Sequence, residues 1–287
     1  MPVALPFSPG VPALITLALS EDLHAGDVTS DAIFDEAHRS RAVLAAKEPA
    51  VLAGGAIFEA VFRAVDPGVV VTWEVPEGGS AERGAVLARL EGSTRSLLRA
   101  ERTALNFLRH LCGIATMTRR WVEVLGPAGP RLLDTRKTTP GFRELEKYAV
   151  RTGGGCNHRY SLGSGAMIKD NHIAAAGSIT AAVERVRAHA PFLLRIEVEV
   201  ETLGELDEAL AAGADAVLLD NMGEEAMREA VRRVGGRALT EASGNVTEDR
   251  LPGLRDIGLD FVSAGALTHS APQSDLSLRV LVDGEGT

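Results

Sequence analysis

Seven cations and four acids share the window 134–172: Arg136, Lys137, Arg143, Lys147, Arg151, Arg159 and Lys169 against Asp134, Glu144, Glu146 and Asp170. Seven minus four gives the window +3, which leaves −12 on the rest of a chain whose net charge is −9. A basic island in an acidic protein suits a small anion, because clustered charge focuses the local field. Arg136 and Lys137 follow a buried-looking strand and precede Thr138-Thr139-Pro140-Gly141, a loop that can carry charge into a cleft. Gly153-Gly154-Gly155-Cys156-Asn157-His158-Arg159 reads as a flexible loop ending on two hydrogen-bonding side chains. Arg supplies a planar fork for carboxylate or phosphate. Lys169 closes the strand-like run Ala166-Met167-Ile168. Arg143, Glu144, Glu146 and Lys147 read instead as a solvated helix face.

The acids have their own pattern. Glu197, Glu199 and Glu201 alternate with Val198 and Val200, and period two puts all three on one face of a strand. On an inner face they need cations or metal, since unpaired buried charge is very costly. Lys169 and Mg²⁺ are suitable partners, and Asp220 adds a carboxylate of the kind that serves sugar hydroxyls or Mg²⁺-bound phosphates. Ser243-Gly244 and Gly265-Ala266-Leu267-Thr268-His269 pair small residues with a helix start, the composition of a backbone anion cradle. The chain has no G-x-x-x-x-G-K-[ST], no G-x-G-x-x-G after a strand and no H-E-x-x-H. Cys156 reads as a small filler, and His38, His110 and His189 as structural or solvated.

The elements that must position these residues fall into two styles. Pro2 to Pro12 reads as irregular, Leu14 to Leu19 as helix, and Glu21 to Thr29 as a polar turn. Between residues 40 and 92, short β-like runs (42–46, 69–75, 86–90) flank a helix at 57–65, as in a small α+β domain. A helical leucine period runs from Ser96 to Val124 and breaks at Gly126-Pro127. Strands and helices then alternate. Strands are predicted at 131–135, 195–200, 216–219, 238–242 and 261–264, and helices at 203–212, 224–234 and 248–257. Such βα repeats argue for parallel strands wrapped by helices, either as a doubly wound sheet or, favoured by the short even repeat, as a barrel. Every strand then ends in polar or ionisable residues at one rim.

Composition narrows the class. The chain has 287 residues, 45% hydrophobic and 24% charged, enough for one large or two modest domains. Its acidic balance disfavours binding to nucleic acid or acidic membranes. Two cysteines make no disulfide framework and fit a reducing cytosol. No apolar run reaches the ~18 residues of a membrane span. The first Lys or Arg is Arg39, so no basic signal-peptide start is seen and a cytoplasmic location is expected.

Taken in order, Glu101 to Asn106, Asp134-Thr135-Arg136-Lys137-Thr138, Gly153 to Arg159, Lys169-Asp170-Asn171-His172, Glu197 to Glu201, Leu219-Asp220-Asn221, Glu241-Ala242-Ser243-Gly244 and Gly265 to Ser270 closely resemble the quinolinate phosphoribosyltransferase family. The resemblance runs from about Glu21 to Val280. It implies an α/β fold with an incomplete parallel α/β barrel after a smaller N-terminal α+β sandwich. The domains would lie at 1–107 and 108–271, with the tail 272–287 able to pack on the first. It implies that quinolinate and 5-phosphoribosyl 1-diphosphate give nicotinate mononucleotide, diphosphate and CO₂, with Mg²⁺, in NAD biosynthesis. It also implies a homodimer or larger assembly with shared sites.

Position by position, the resemblance assigns Arg136, His158, Arg159 and Lys169 to the quinolinate carboxylates, with Arg102 entering from a neighbouring subunit. Lys137 is assigned to the phosphoribosyl donor. Glu199 and Asp220 become the ribose and Mg²⁺-linked acids, acting directly or through phosphates, and Ser243, Gly244, Gly265 and His269 the 5-phosphate cradle. Asn245-Val246 departs from the Gly-Ile of many members, which puts one cradle N–H in question, because Asn accepts positive φ less readily than Gly. Two other readings remain: a molybdenum-transport-associated paralogue of the same fold, and a biotinyl- or lipoyl-like carrier suggested by Val75 to Leu90. A carrier needs a Lys at its hairpin tip, and the one Lys before residue 137 is Lys47.

Overall fold

The computed structural model describes residues 7–281. In chain order the elements are α1 Gly10–Leu23, α2 Val28–Ile33, β1 Arg39–Ala46, β2 Ala50–Val51, α3 Gly55–Val65, β3 Val70–Trp73, β4 Ser80–Ala81, β5 Val86–Ser93 and α4 Thr94–Leu125. There follow β6 Arg131–Leu133, α5 Arg143–Thr152, β7 Ala166–Ile168, α6 Asp170–Ala176, α7 Ile179–His189, β8 Ile196–Val200, α8 Leu203–Ala211, β9 Ala216–Asp220 and α9 Glu224–Val234. Last come β10 Leu239–Ser243, α10 Leu251–Arg255, β11 Phe261–Ser263, α11 Ala266–His269 and β12 Leu276–Val280. These form two compact units. One holds the described residues up to Met117, Glu144–Gly153 and those from Ala271 onward; the other holds Thr118–Arg143 and Gly154–Ser270.

The first unit is built on an antiparallel sheet in the order β12-β1-β5-β3. Leu44, Leu87 and Leu90 from the sheet, Phe58 and Phe62 from α3, and Leu97, Leu105, Leu108 and Leu111 from α4 are buried, as the β-like runs and the leucine period require. Helix α3 starts at left-handed Gly54 (φ 97), where a Cβ would press on Leu111. The Glu77 carboxylate accepts the N–H groups of Gly54 and Gly55 at 2.6 and 3.0 Å, satisfying donors that no N-cap side chain reaches.

Several local expectations are corrected in this unit. The irregular N-terminal stretch is cut short by α1; its first residues, 1–6, lie outside the described residues. Pro12 is tolerated because it sits in the helix's first turn, where an N–H has no intrahelical partner. The polar turn shrinks because α1 runs on to Leu23 and Asp27 caps α2 by accepting the Ser30 N–H at 3.0 Å. The solvated-helix reading of α5 fails for Glu146 and Lys147, which are buried beside Leu145, Ala149 and Val150. Glu146 meets His110 Nε2 at 2.9 Å, so His110 has a structural partner.

In the second unit six strands run parallel in the order β6-β11-β10-β9-β8-β7. Chain neighbours from β7 to β11 are sheet neighbours, and β11 then pairs back to β6, the first strand. A sheet that returns to its start is a barrel in the making. Among the described residues no β6–β7 ladder closes it; the single parallel bridge Leu133–Cys156 stands beside β6 instead. The fold is therefore an incomplete parallel α/β barrel. Helix starts follow their caps: the Ser178 hydroxyl takes the Ala181 N–H, and Thr202 and Glu205 form a capping box on α8. The helix expected at 248–257 is a 3-10 turn, Glu248–Arg250, leading into the shorter α10 with Pro252 in its first turn. No helix among the described residues is long and apolar enough to cross a membrane.

Candidate active site

The parallel ladders sort the polar residues before any side chain is considered. Glu199 aligns with Leu218, Leu218 with Glu241, and Asp220 with Ser243. Residues in register on adjacent strands share a face, as do i and i+2. Glu197, Glu199, Asp220, Glu241 and Ser243 therefore face one way, while Val198 and Val200 are buried on the other. The period-two reading holds for Glu197 and Glu199. It does not extend to Glu201, which is exposed past β8, where its N–H is taken by Glu205 at the start of α8. Glu199 meets Lys169 in an ion pair.

His158 lies between two of these acids. Its Nε2 is 3.1 Å from Glu197 and 3.5 Å from Glu241. Burial alone lowers the His158 pKa, but hydrogen bonds and charge from Glu197 and Glu241 more than reverse this and raise it to about 9. The Arg159 N–H, 2.6 Å from Nδ1, is the contact that opposes the charged ring. Glu241 is pulled two ways: burial raises its carboxyl, His158 lowers it, and the net is upward. These three residues bring metal-type donors within 4.8 Å of one another; the His158 ring already lies between the two carboxylates and the Arg159 charge acts on Glu197, while Glu241 Oε1 is buried with no hydrogen-bond partner among the described residues.

The loop carrying His158 is fixed by an acid to which the sequence reading gave no role. Asp134, fully buried just past β6, accepts Asn157 Nδ2 at 2.5 Å and the His158 N–H at 2.9 Å. Cys156 hydrogen-bonds through its backbone to Leu132 and Asp134, and its Sγ accepts from Arg131 at 2.8 Å. Arg159 reaches the Gly165 carbonyl at 3.0 Å. Burial, then the neighbouring Arg136 charge, lowers the Arg159 guanidinium from its ordinary value. Arg136 Nε is itself buried with no hydrogen-bond partner among the described residues. Two close guanidiniums with a donor to spare are a poor arrangement when empty and a good one around a dianion.

Arg143 was expected to be solvated. It is half-buried and bonds Thr138 Oγ1 (3.0 Å), Tyr160 O (3.2 Å) and Arg136 O (3.4 Å), so it shapes the Arg136 loop. The basic window is thereby divided: Lys147 and Arg151 belong to the first unit, and the rim keeps Arg136, Lys137, Arg159 and Lys169. Lys137 is exposed, and its carbonyl accepts the Thr268 hydroxyl at 2.8 Å. A Cβ on Gly265 would sit 2.9 Å from Lys137 Cδ and 3.0 Å from His269 Nε2, so these three converge. Ser263 and Ser243 join hydroxyls at 3.0 Å beside left-handed Gly244. Asn245 takes a positive φ, 48°, the backbone that Asn accepts less readily than Gly. Arg102 is exposed on α4 in the first unit.

What the sequence reading missed are the partners of His158 and the anchor Asp134. Each partner comes from a distant strand, and only the ladders reveal the meeting. The signal available was Glu241 itself, a carboxylate in the middle of an otherwise buried strand.

Residues 27–112 match the family "Quinolinate phosphoribosyl transferase, N-terminal domain" and residues 114–279 match "Quinolinate phosphoribosyl transferase, C-terminal domain". The chain is 44% identical over 265 residues to the "Probable nicotinate-nucleotide pyrophosphorylase [carboxylating]" of Bacillus subtilis (92% of this chain, 91% of that one). It is 42% identical to the Synechocystis protein of the same description (92% and 90%). The crystal structure of NadC from Streptococcus pyogenes superposes with a TM-score of 0.92 at 44% identity, covering 97% of this chain and 100% of that one. Both halves of the family description are present in order, on the architecture that description requires, and the chain belongs to the quinolinate phosphoribosyl transferase family.

Proposed function

We propose that this chain transfers the phosphoribosyl group of 5-phosphoribosyl 1-diphosphate to quinolinate and releases CO₂, forming nicotinate mononucleotide in NAD biosynthesis. One observation carries the chemistry: two neighbouring guanidiniums, His158 and Lys169 gather beside carboxylates on one face of a parallel sheet. Family membership and carboxylating relatives support it.

In this reading Arg136, His158, Arg159 and Lys169 hold the two quinolinate carboxylates, joined by Arg102 of the partner subunit in a homodimer or larger assembly. Lys137 holds the diphosphate side of the donor, and Ser243, Gly244, Gly265 and His269 hold its 5-phosphate. The pyridine nitrogen attacks the anomeric carbon as the C–O bond to diphosphate breaks. Positive charge grows on the ribose, and Glu199 and Asp220 stabilise it because their carboxylates are already in place. The C–C bond to the adjacent carboxylate then breaks and CO₂ departs; the electron pair stays on the ring carbon, where the positive charge of the quaternised nitrogen beside it stabilises it, and that carbon takes a proton. No enzyme nucleophile is needed, so positioning and electrostatics supply the rate. Mg²⁺ fits Glu199 and Asp220, since it binds through one or two carboxylates plus waters and substrate phosphates; when bound it would neutralise diphosphate charge. A cytoplasmic location completes the reading.

The test is release of CO₂ from quinolinate. Dependence on both 5-phosphoribosyl 1-diphosphate and Mg²⁺ supports the reading; CO₂ release without the donor, or none with it, rejects it.

A further inference from the structure

Among the described residues, two other than glycine adopt left-handed backbone: Asn221 (φ 53) and Asn245 (φ 48). They touch each other. Asn245 Nδ2 donates to Asn221 Oδ1 at 3.1 Å. Asn221 directly follows Asp220 at the end of β9, and Asn245 lies just past Ser243 at the end of β10. Those strands are neighbours, with Asp220 and Ser243 in register. Left-handed backbone is strained for any residue with a Cβ, and such strain persists only where the surroundings enforce it.

Chemistry fixes the direction of the Asn221 amide. Its Nδ2 lies 2.8 Å from Asp220 Oδ2. A carboxylate only accepts, so the NH₂ must face it, which leaves Oδ1 for Asn245. One side chain thus ties the Asp220 carboxylate to the loop after β10. That loop has little freedom. Gly244 has φ 90, and a Cβ on it would collide with the Asn221 amide, 2.6 Å from Cγ. The Asn221 N–H donates to Ser243 O at 3.1 Å. Arg250 Nη1 donates to the carbonyls of Gly244 (3.2 Å) and Asn245 (3.1 Å). A trans peptide points its N–H opposite to its C=O, so the N–H groups of Asn245 and Val246 are turned away from Arg250.

We propose that Asn221 and Asn245 are positioning residues for the phosphoribosyl donor: their joined amides hold the Asp220 carboxylate in a fixed setting against the Ser243–Val246 backbone. Acid and anion loop then meet the ribose and the 5-phosphate of one substrate as a single rigid piece. This rests on the assignment of Asp220 and Ser243-Gly244 to that substrate. Neither Asn touches the reacting atoms; both act through Asp220 and the loop backbone. Glycine at 245 would keep the left-handed turn at no steric cost and remove only the link.

Steady-state kinetics of full-length Asn245→Gly, Asn221→Ala and the double variant, with each substrate varied and thermal melts alongside, test this. Loss of the one link is expected to raise KM for 5-phosphoribosyl 1-diphosphate by about fivefold, the effect of one net hydrogen bond. KM for quinolinate should stay within about twofold, and the double variant should be no worse than the worse single, as for groups acting as a unit. Wild-type donor KM in Asn245→Gly, an equal rise in both KM values, or additive effects in the double variant would overturn it. If Asn221→Ala does not fold, Asn245→Gly alone decides. A wild-type enzyme that fails to release CO₂ from quinolinate overturns the functional reading, and this proposal with it. An active wild type with an indifferent Asn245→Gly overturns this proposal alone.

Discussion

Arg159 is held where burial and a second guanidinium both weigh on it, and an arriving carboxylate relieves the repulsion between the two. Replacing it with Ala removes a charge-assisted fork, an interaction of about 1.5–3 kcal/mol, so KM for quinolinate should rise roughly 10- to 150-fold. KM for the phosphoribosyl donor should stay near wild type. Arg159→Lys should recover only part of the loss, because an ammonium lacks the planar fork. His158 gives the pH dependence. Its folded pKa of about 9 exceeds the ordinary 6.5, so its linked stability is fully present below about pH 6.5 and is lost as pH rises through about 9. Quinolinate kcat/KM should hold level at neutral pH and fall through about pH 9. Glu241→Gln should move that fall to lower pH, which the kcat/KM profile or the His158 ring NMR titration would show. The cations were legible in the sequence because a charge count is local. The partners of His158 were not, because Glu197 and Glu241 reach it from other strands.

At the scale of elements, the βα alternation and the strand ends were readable, since period two, period 3.6 and Gly or Pro punctuation are written into short windows. The fate of α5 was not. Arg143, Glu144, Glu146 and Lys147 look like a wet helix face, but which unit a helix packs in is decided by surfaces elsewhere, and here Glu146 and Lys147 are buried. Asn245 was legible only as a question; the structure answers that it takes the left-handed turn and uses its side chain there. Asp134 is the element-level anchor, buried and holding both Asn157 and the His158 N–H. Asp134→Ala should cost about 2–3 kcal/mol of stability, the effect of losing buried charge-assisted hydrogen bonds, and should weaken quinolinate binding. Urea unfolding and quinolinate KM would read both, and unchanged values in each would remove Asp134 from this role.

For the whole molecule, the acidic chain sets a basic rim against two anionic substrates that repel each other. If each rim is completed by Arg102 of the partner subunit, mixing two crippled variants restores function. Refolding Arg102→Ala together with Lys137→Ala should recover about a quarter of wild-type activity, because half the dimers are mixed and each has one intact site. No recovery would mean that the sites are not shared. The central claim is that both substrates lie at the rim of the parallel sheet, held by its cations. A crystal structure with quinolinate and an unreactive analogue of the phosphoribosyl donor tests it most directly. The pyridine carboxylates should lie on Arg136, Arg159 and Lys169, with the ribose beside Glu199 and Asp220; ligands bound at another surface, with that rim empty, would overturn the assignment.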